Sequence, residues 1–210
     1  MPVTIDEAHR HEILQREQYA LKGLGRTYWD YRDNRAFSFI DQKDQVIIDL
    51  GCGEGISLEK LSRLYPDRLV LGLDLLDENA RIAHSYKLRV ACSDIYEIPI
   101  ADNRVDFVLL SEVIEHLNKP ERAIAEIHRI LKKNGTLLII FPNDRNFFLA
   151  RFLTFRFKAA FFDPGHLRQW THRHCTKILR EHGFEVTKAV SLPFFFWNIC
   201  LHGLVLAKKD

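Results

Sequence analysis

The chain has 210 residues, of which 47% are hydrophobic and 28% are charged. This balance is typical of a globular protein with a substantial core, and it excludes a mainly disordered or fibrous chain. Thirty Lys and Arg residues against 28 Asp and Glu residues leave a formal net charge of +2, which is too small for a dedicated nucleic-acid-binding protein. We therefore expect no nucleic-acid partner.

Residues 1–45 are predicted to form an N-terminal helical cap. Charged residues with helical spacing run from Ile5 to Leu21, and Gly23 and Gly25 are expected to end that helix. The N-terminus lacks the charged-then-apolar order of a signal peptide. The cysteines are far apart and form no C-x-x-C pair, so we expect reduced thiols and a cytoplasmic protein.

From Val46 onward, short β-branched runs alternate with amphipathic stretches, which indicates βαβ units around a parallel sheet. The first strands are predicted at 46–50, 69–73, 89–92, 105–110 and 136–141. Helices are predicted between them at 57–64, 77–86 and 120–132, with Pro66 and Asn134-Gly135 as stops. The pattern therefore predicts a doubly wound α/β fold.

Residues 143–170 interrupt this alternation with an aromatic and basic insert. A helix is predicted at 174–182, and the last strands are predicted at 184–190 and 201–208. No helix-length spacer separates those two strands, so we expect them to pair antiparallel. Since the sequence shows no internal repeat and no low-complexity linker, we predict one domain over residues 1–210.

The segment Val46 to Gly55 combines a buried strand with a glycine-rich turn. The turn from Gly51 to Gly55 reads Gly-Cys-Gly-Glu-Gly, and ligands of open α/β sheets bind at such carboxyl ends of strands. Glycine lets a ligand approach the main chain without meeting a Cβ atom. A dinucleotide fingerprint needs Gly or Ala at the position of Ile56, and no Walker-type motif occurs. Both phosphate-binding interpretations are therefore disfavoured.

Acidic residues surround this turn, and their sign selects among nucleotide ligands. They are Asp49 before the turn, Glu54 within it, and Asp74, Asp94 and Glu112 after the next strands. Such a crevice repels a pyrophosphate, whereas it attracts the sulfonium and ammonium groups of S-adenosylmethionine. Asp74 follows the glycines by about twenty residues, a position from which a carboxylate binds ribose hydroxyls. The pattern therefore predicts an S-adenosylmethionine site.

With these residues, the chain resembles the class I S-adenosylmethionine-dependent methyltransferase superfamily, in its type 11, ubiquinone-biosynthesis-like branch. The matching segments, in chain order, are Val46 to Gly55, Leu71 to Asp74, Ser93 to Ile95 and Phe107 to Leu117. The resemblance implies a mostly parallel seven-stranded sheet with a reversed C-terminal strand. It also implies S-adenosylmethionine as the cofactor and methyl transfer as the reaction.

The resemblance further implies a role for individual residues at the cofactor. Asp49 would lie beneath the amino group, and Gly51, Cys52 and Gly53 along the methionine part. Asp74 would bind the ribose, Leu75 the adenine face, Asp94 and Ile95 the adenine edge, while Ser111 would lie near the sulfonium. An alternative from the residues alone is that Asp49 and Asp94 cap turns or helices.

A Glu-x-x-Glu-His string follows the fourth predicted strand, at Glu112, Glu115 and His116. Helical geometry would place these side chains on one side, and in some quinone and small-RNA methyltransferases a matching string, joined by a later histidine, holds a divalent metal. His166 or His172 would complete that set here. The string is also common in relatives without metal, and we predict no metal site. His166 is a candidate general base, but the sequence does not assign the base.

The insert mixes phenylalanines with basic residues. They are Phe147, Phe148, Phe152, Phe155, Phe157, Phe161 and Phe162, with Arg145, Arg151, Arg156 and Lys158 between them. This mixture suits core packing, a lid over an apolar substrate or a peripheral contact with an anionic membrane. We predict a methyltransferase with a small-molecule, sugar or lipid-linked acceptor. The alternatives are a cofactor-binding module without turnover and, less favoured, an NAD-dependent oxidoreductase.

Overall fold

A computed structural model of the chain describes residues 15–20, 23–143, 146, 167–194 and 197–210. Seven strands form one sheet in the order β3-β2-β1-β4-β5-β7-β6. They are β1 Val46–Leu50, β2 Leu69–Asp74, β3 Val90–Cys92, β4 Val105–Ser111, β5 Leu131–Pro142, β6 Phe184–Leu192 and β7 His202–Lys209. The helices are α1 Gln15–Ala20, α2 Leu24–Phe37, α3 Ile56–Leu64, α4 Asp77–Ser85, α5 Pro120–Ile130 and α6 His172–Glu181.

Strands β1 to β5 run parallel to one another, and β7 is antiparallel to both β5 and β6. The predicted seven-stranded, mostly parallel sheet with a reversed C-terminal strand is therefore confirmed. The predicted strand at 46–50 has the same bounds as β1. The carboxyl ends of β1 to β4 consequently meet at one edge, where the glycine-rich turn lies.

Helices cover both faces of this sheet, as the doubly wound prediction requires. On one face, α5 buries Ala123, Ile124 and Ile127 against the aliphatic side chains of β4 and β5. On the other face, α2 and α3 bury Phe37 and Leu58 against β1 and β4. Because the central strands are buried on both faces, their sequences are nearly continuous aliphatic runs.

Two sequence predictions about element ends are wrong. Gly25 was expected to end a helix, but it lies in the first turn of α2. The helix predicted at 120–132 ends at Ile130, because β5 already begins at Leu131 opposite Val105. Asn134, in the left-handed region with φ 62°, lies in the irregular part of β5 before the regular pairing resumes.

Two predicted segments, the N-terminal helix and the aromatic insert, are described only in part. The predicted helix from Ile5 to Leu21 is described over Gln15–Ala20. Nearly all of the insert at 143–170, including its phenylalanines and His166, lies outside the described residues. Its roles as core, lid or membrane contact therefore stay predictions. In the described ranges, no helix has both the length and the apolarity needed to cross a bilayer.

Candidate cofactor-binding site

The glycine-rich turn connects the carboxyl end of β1 to its neighbours on both sides. Gly51, Gly53 and Gly55 have φ angles of 75°, 54° and 80°, a left-handed conformation that favours glycine. The N–H groups of Gly51 and Cys52 donate to the carbonyl oxygen of Leu73 at the end of β2, at 2.7 and 3.1 Å. A Cβ atom on Gly51 would collide with Val113 after β4. The turn is therefore held closely between β2 and the segment that follows β4.

Asp74 fixes the same turn through its carboxylate. Its Oδ2 accepts a hydrogen bond from the N–H of Gly53 at 2.7 Å, and its Oδ1 accepts from Leu76 N and Asn79 Nδ2, both at 3.0 Å. The residue is 8% exposed. Each carboxylate oxygen has two lone pairs, so Oδ2 keeps one beyond its bond to Gly53. Sequence reasoning assigned Asp74 to the ribose and missed its contact with the turn.

Asp49 is a buried carboxylate with an unsatisfied oxygen. It is 2% exposed, and its Oδ2 has no hydrogen-bond partner among the described residues. Burial, reinforced by the nearby Asp33 and Asp74, raises the pKa of Asp49 to about 7, against the lowering effect of Arg32. Three carboxylates therefore converge on this position, where a cation would relieve their repulsion.

The other predicted cofactor residues follow the ends of β2, β3 and β4. Leu75 directly follows β2 and is 65% exposed. Asp94 is exposed and its Oδ1 accepts from the N–H of Tyr96 at 2.9 Å, so it does stabilise a turn. Ile95 and Ser111 are half-buried. Since these residues follow parallel strands, the fold brings them to the edge where the glycine turn lies.

Glu54 faces the N-terminal segment. Its carboxylate accepts hydrogen bonds from the N–H groups of Gln15 and Arg16 at 2.9 and 2.8 Å, and Arg16 Nε donates to the Glu54 carbonyl at 2.7 Å. A Cβ atom on Gly53 would lie 2.8 Å from Gln15 Oε1. Thus α1 covers the glycine turn and Glu54 holds it there. The sequence had suggested that Glu54 is part of the acidic lining.

We expect the substitution Glu54→Gln to loosen α1 from the turn. It replaces two charge-assisted hydrogen bonds by weaker neutral ones, a loss of about 1–2 kcal/mol. Amide hydrogen exchange over Gln15–Ala20 should accelerate about tenfold, while exchange in β4 stays unchanged. Glu185→Gln, an exposed position on β6, is the matched control. Equal protection of α1 in both variants would show that Glu54 does not hold the segment.

Known proteins share both the sequence and the fold of this edge. Residues 48–139 match the profile of a family described as a methyltransferase domain. A probable S-adenosylmethionine-dependent methyltransferase of Mycolicibacterium smegmatis is 28% identical over 189 residues, covering 87% of this chain and 66% of that protein. A malonyl-[acyl-carrier protein] O-methyltransferase of Herminiimonas arsenicoxydans is 38% identical over 92 residues, covering 44% and 35%.

Among solved structures, a SAM-dependent methyltransferase from Archaeoglobus fulgidus superposes with a TM-score of 0.73 at 19% identity, covering 97% of this chain and 100% of that one. At this identity the likeness concerns the fold. These likenesses support a class I S-adenosylmethionine-dependent methyltransferase over residues 48–139. The chain spans between 35% and 66% of the length of the two curated relatives named above.

The residues of this edge fit S-adenosylmethionine, the cofactor for which the Mycolicibacterium relative is named. The glycine turn lies at the carboxyl end of β1, with Val113 against Gly51 and Gln15 against Gly53. Asp49 presents a buried oxygen without a described partner, and Leu75 presents an exposed apolar surface. Asp49 matches the ammonium of the cofactor's amino-acid part. The exposed side chain of Leu75 matches the face of its adenine.

The acidic string after β4 does not adopt the helical arrangement that the sequence suggested. Glu112 has a φ of 54°, and a 3₁₀ turn follows over Ile114–His116. Glu115 is buried while His116 is exposed, so the expectation that Glu112, Glu115 and His116 share one side is wrong. The part of the chain that the structure describes holds no group of three His, Cys, Asp or Glu suited to a metal.

Sequence reasoning missed a charged cluster that α2 contributes to this edge. Arg32 is 8% exposed; its Nε and Nη2 donate to Asp33 Oδ1 at 3.1 and 2.9 Å, and its Nη1 donates to Glu112. Lys60 Nζ on α3 donates to Asp33 Oδ2 at 2.7 Å. Burial lowers the pKa of Arg32, but Glu112 and Asp33 more than offset this, so its pKa is raised and it stays charged.

Proposed function

We propose that this domain binds S-adenosylmethionine across the carboxyl ends of β1, β2 and β3 and transfers its methyl group to an acceptor over β4 and β5. One observation carries the proposal. A buried carboxylate, Asp49, has an oxygen without a described partner and is flanked by Asp33 and Asp74. A site of this charge favours a cationic ligand and disfavours a pyrophosphate, which argues against the NAD-dependent alternative.

The proposed contacts follow from the position of each strand end. Asp49 takes the cofactor's ammonium, and the turn of Gly51, Cys52 and Gly53 lies along the methionine part. The free lone pair of Asp74 takes a ribose hydroxyl, and the exposed Leu75 packs on the adenine. In this arrangement Asp94 and Ile95 border the adenine edge, whereas Ser111 lies beside the sulfonium.

When bound, the cofactor supplies an electrophilic methyl group. The contribution of the chain is alignment, because displacement at a methyl carbon requires the nucleophile, the carbon and the sulfur in line. The Herminiimonas relative is named for an O-methyl transfer to a malonyl group on a carrier protein. For this chain we propose a small-molecule or lipid-linked acceptor. The phenylalanine-rich insert predicted at 143–170 would contact the apolar part of such an acceptor.

Calorimetric titration with S-adenosylhomocysteine tests cofactor binding. We expect Asp74→Ala to weaken binding at least about a hundredfold, because it removes both the ribose acceptor and the bond that orders the turn. Asp67→Ala, an exposed aspartate between α3 and β2 at the opposite edge, should bind like the wild type. A flat wild-type titration at millimolar ligand contradicts the proposal.

Methyl transfer is tested separately with cofactor labelled on its methyl group and fractionated small-molecule and lipid extracts as acceptors. Label should appear in one fraction with the wild-type protein and disappear with Asp74→Ala. Cofactor binding without labelled product in any fraction would identify a cofactor-binding module without turnover.

A further inference from the structure

Three side chains from distant parts of the sequence form a hydrogen-bonded line at the carboxyl edge of the sheet. The hydroxyl of Tyr28 on α2 lies 2.7 Å from Nδ1 of His202, the first residue of β7. Nε2 of His202 lies 2.9 Å from Oε1 of Glu112. The His202 side chain is fully buried, and its ring stacks on that of Tyr28 with the centroids 5.5 Å apart.

The chemistry of the two ends fixes where the protons lie. Arg32 donates to the same Glu112 oxygen as His202 does, which keeps that carboxylate ionised and acceptor-only. Burial lowers the pKa of His202, opposed by Glu112, so the ring is neutral at neutral pH and donates from Nε2–H. Nδ1 is therefore the acceptor, and the Tyr28 hydroxyl donates to it in preference to the Leu192 carbonyl at 3.4 Å.

This line lies beside the cofactor-binding edge, over β4 and β5. Glu112 directly follows Ser111, and the next residue, Val113, is the side chain that a Cβ atom on Gly51 would meet. His202 is paired with Pro142 at the carboxyl end of β5. The Tyr28 hydroxyl lies on the other side of His202 from Glu112, near Leu192 at the end of β6, at the carboxyl edge where an acceptor over β4 and β5 would enter.

We propose that Tyr28, backed by His202 and Glu112, is the general base that removes the proton from an acceptor hydroxyl of phenolic acidity. The inference rests on the proposed methyl transfer. As the acceptor oxygen bonds to the methyl carbon, the carbon–sulfur bond breaks and its electron pair stays on sulfur. The acceptor proton moves to the Tyr28 oxygen, while the Tyr28 proton moves to His202 Nδ1. The imidazolium so formed lies against the carboxylate of Glu112 and later releases the proton to solvent.

The basicity of the line selects this acceptor class. A histidine base takes a proton effectively from a group only a few pKa units weaker as an acid, and a phenol, with a pKa of about 10, meets that condition. An aliphatic alcohol is far less acidic. A carboxylate acceptor is already ionised near neutral pH and needs no base at all. A line of the half-buried Tyr28, the buried His202 and the exposed Glu112 therefore serves a phenolic or enolic hydroxyl.

Other ionisable groups that face this line favour a neutral resting state. Burial raises the pKa of Tyr28; Arg32 lowers it, and Glu112, Cys200 and Tyr31 raise it. Arg32 lowers and Asp33 raises the pKa of His202. The tyrosine therefore acts as a neutral hydroxyl that passes a proton on, rather than as a preformed tyrosinate.

The first test is spectroscopic and needs no acceptor. Nitrogen-15 spectra of the full chain with labelled histidine should show His202, assigned by its loss in His202→Gln, as the neutral Nε2–H tautomer at pH 7. The Nδ1 shift should move in Tyr28→Phe and stay fixed in Tyr31→Phe, an exposed tyrosine three residues away on the same helix. An Nδ1–H tautomer, or a charged ring at pH 7, would overturn the proposal.

The second test measures methylation of two phenols with labelled cofactor. With 4-propylphenol, which is protonated at neutral pH, we expect Tyr28→Phe to lose about a hundredfold or more in kcat. With 4-nitrophenol at about pH 8.5, where it is largely ionised, the loss should be less than about threefold. The wild-type rate on 4-propylphenol should be flat between about pH 7 and 9, whereas that of Tyr28→Phe should rise about tenfold per pH unit. Tyr31→Phe should behave as the wild type.

Equal losses on both phenols, or the same pH profile in wild type and Tyr28→Phe, would reduce Tyr28 to a structural role and overturn the proposal. So would a wild-type protein that binds S-adenosylhomocysteine but methylates neither phenol. Failure of the proposed function itself is distinguishable, since S-adenosylhomocysteine would then not bind to the wild type. Tyr28→Phe must retain wild-type affinity for S-adenosylhomocysteine for its kinetic loss to count in support.

Discussion

Replacing Asp49 by Asn should stabilise the free protein and weaken the proposed cofactor binding at the same time. The folded pKa of Asp49 is raised from 3.8 to about 7, so the folded state prefers the protonated form. Stability is then lost as pH rises from the unfolded to the folded pKa. The shift costs about 4 kcal/mol at pH 8, where folded Asp49 is ionised, and about 2 kcal/mol at pH 5, where folding requires its protonation. The Asp49→Asn substitution removes this cost, and urea unfolding at both pH values measures the gain.

Cofactor binding should show the opposite sign. An ammonium beside Asp49 favours the carboxylate, so binding below about pH 7 releases a proton. Affinity for S-adenosylhomocysteine should rise about tenfold per pH unit from about pH 5 to 7 and then level off. In Asp49→Asn this pH dependence should vanish and the plateau affinity fall about a hundredfold.

Calorimetry in two buffers of different ionisation enthalpy counts the released proton directly. Asp67→Asn, exposed at the opposite edge of the sheet, is the control and should change neither stability nor binding. A wild-type affinity that does not vary from pH 5 to 7, or a less stable Asp49→Asn variant at pH 8, would contradict the assigned charge of this site.

The sequence predicts those strands whose hydrophobic pattern matches their burial in the sheet. The aliphatic run Val46–Leu50 can be buried on both faces only as a central parallel strand, and the structure places β1 there. The missing helix between the last two strands left antiparallel pairing as the natural geometry, and β6 and β7 pair in that way. The glycine turn directly follows β1, so its place at the carboxyl edge of the parallel strands could be predicted as well.

The errors arise where tertiary contacts override local preference. Gly25 is a helix breaker by propensity, but α2 runs through it because Arg32 and Asp33 further along are fixed by Glu112 and Lys60. Glu112 was expected in a helix, yet its left-handed φ turns its side chain to meet Arg32 and His202. No sequence spacing links residues 28, 112 and 202, so the Tyr28 line emerges from the folded sheet alone.

Glu54 illustrates the same limit for the cofactor site. Its position in an acidic, glycine-rich turn predicts that the Glu54 side chain lines the crevice and adds to its negative charge. In the structure its carboxylate is used by the backbone of Gln15 and Arg16. The acidic character of the crevice is instead supplemented by Asp33, which comes from α2 and which no local motif marks.

Replacing Arg32 by Met should produce the largest loss of stability in the domain. The guanidinium bridges α2 to Glu112 after β4 and pairs with Asp33, and it offsets part of the repulsion on Asp49. Methionine keeps much of the side-chain volume but leaves Glu112 without Arg32 and the buried Asp33 with Lys60 alone. Breaking a buried pair by removing one partner costs about 3–5 kcal/mol, which urea unfolding at pH 7 measures.

The matched control is Arg26→Met on the same helix, where a partly exposed arginine lies 3.8 Å from Asp30 and a loss below about 0.5 kcal/mol is expected. A second readout separates electrostatics from packing. Without Arg32 the pKa of Asp49 should rise further, so the pH at which S-adenosylhomocysteine affinity levels off should move upward in Arg32→Met and stay fixed in Arg26→Met. If both variants lose the same stability, or if the affinity profile of Arg32→Met does not move, then Arg32 does not balance the charge at Asp49.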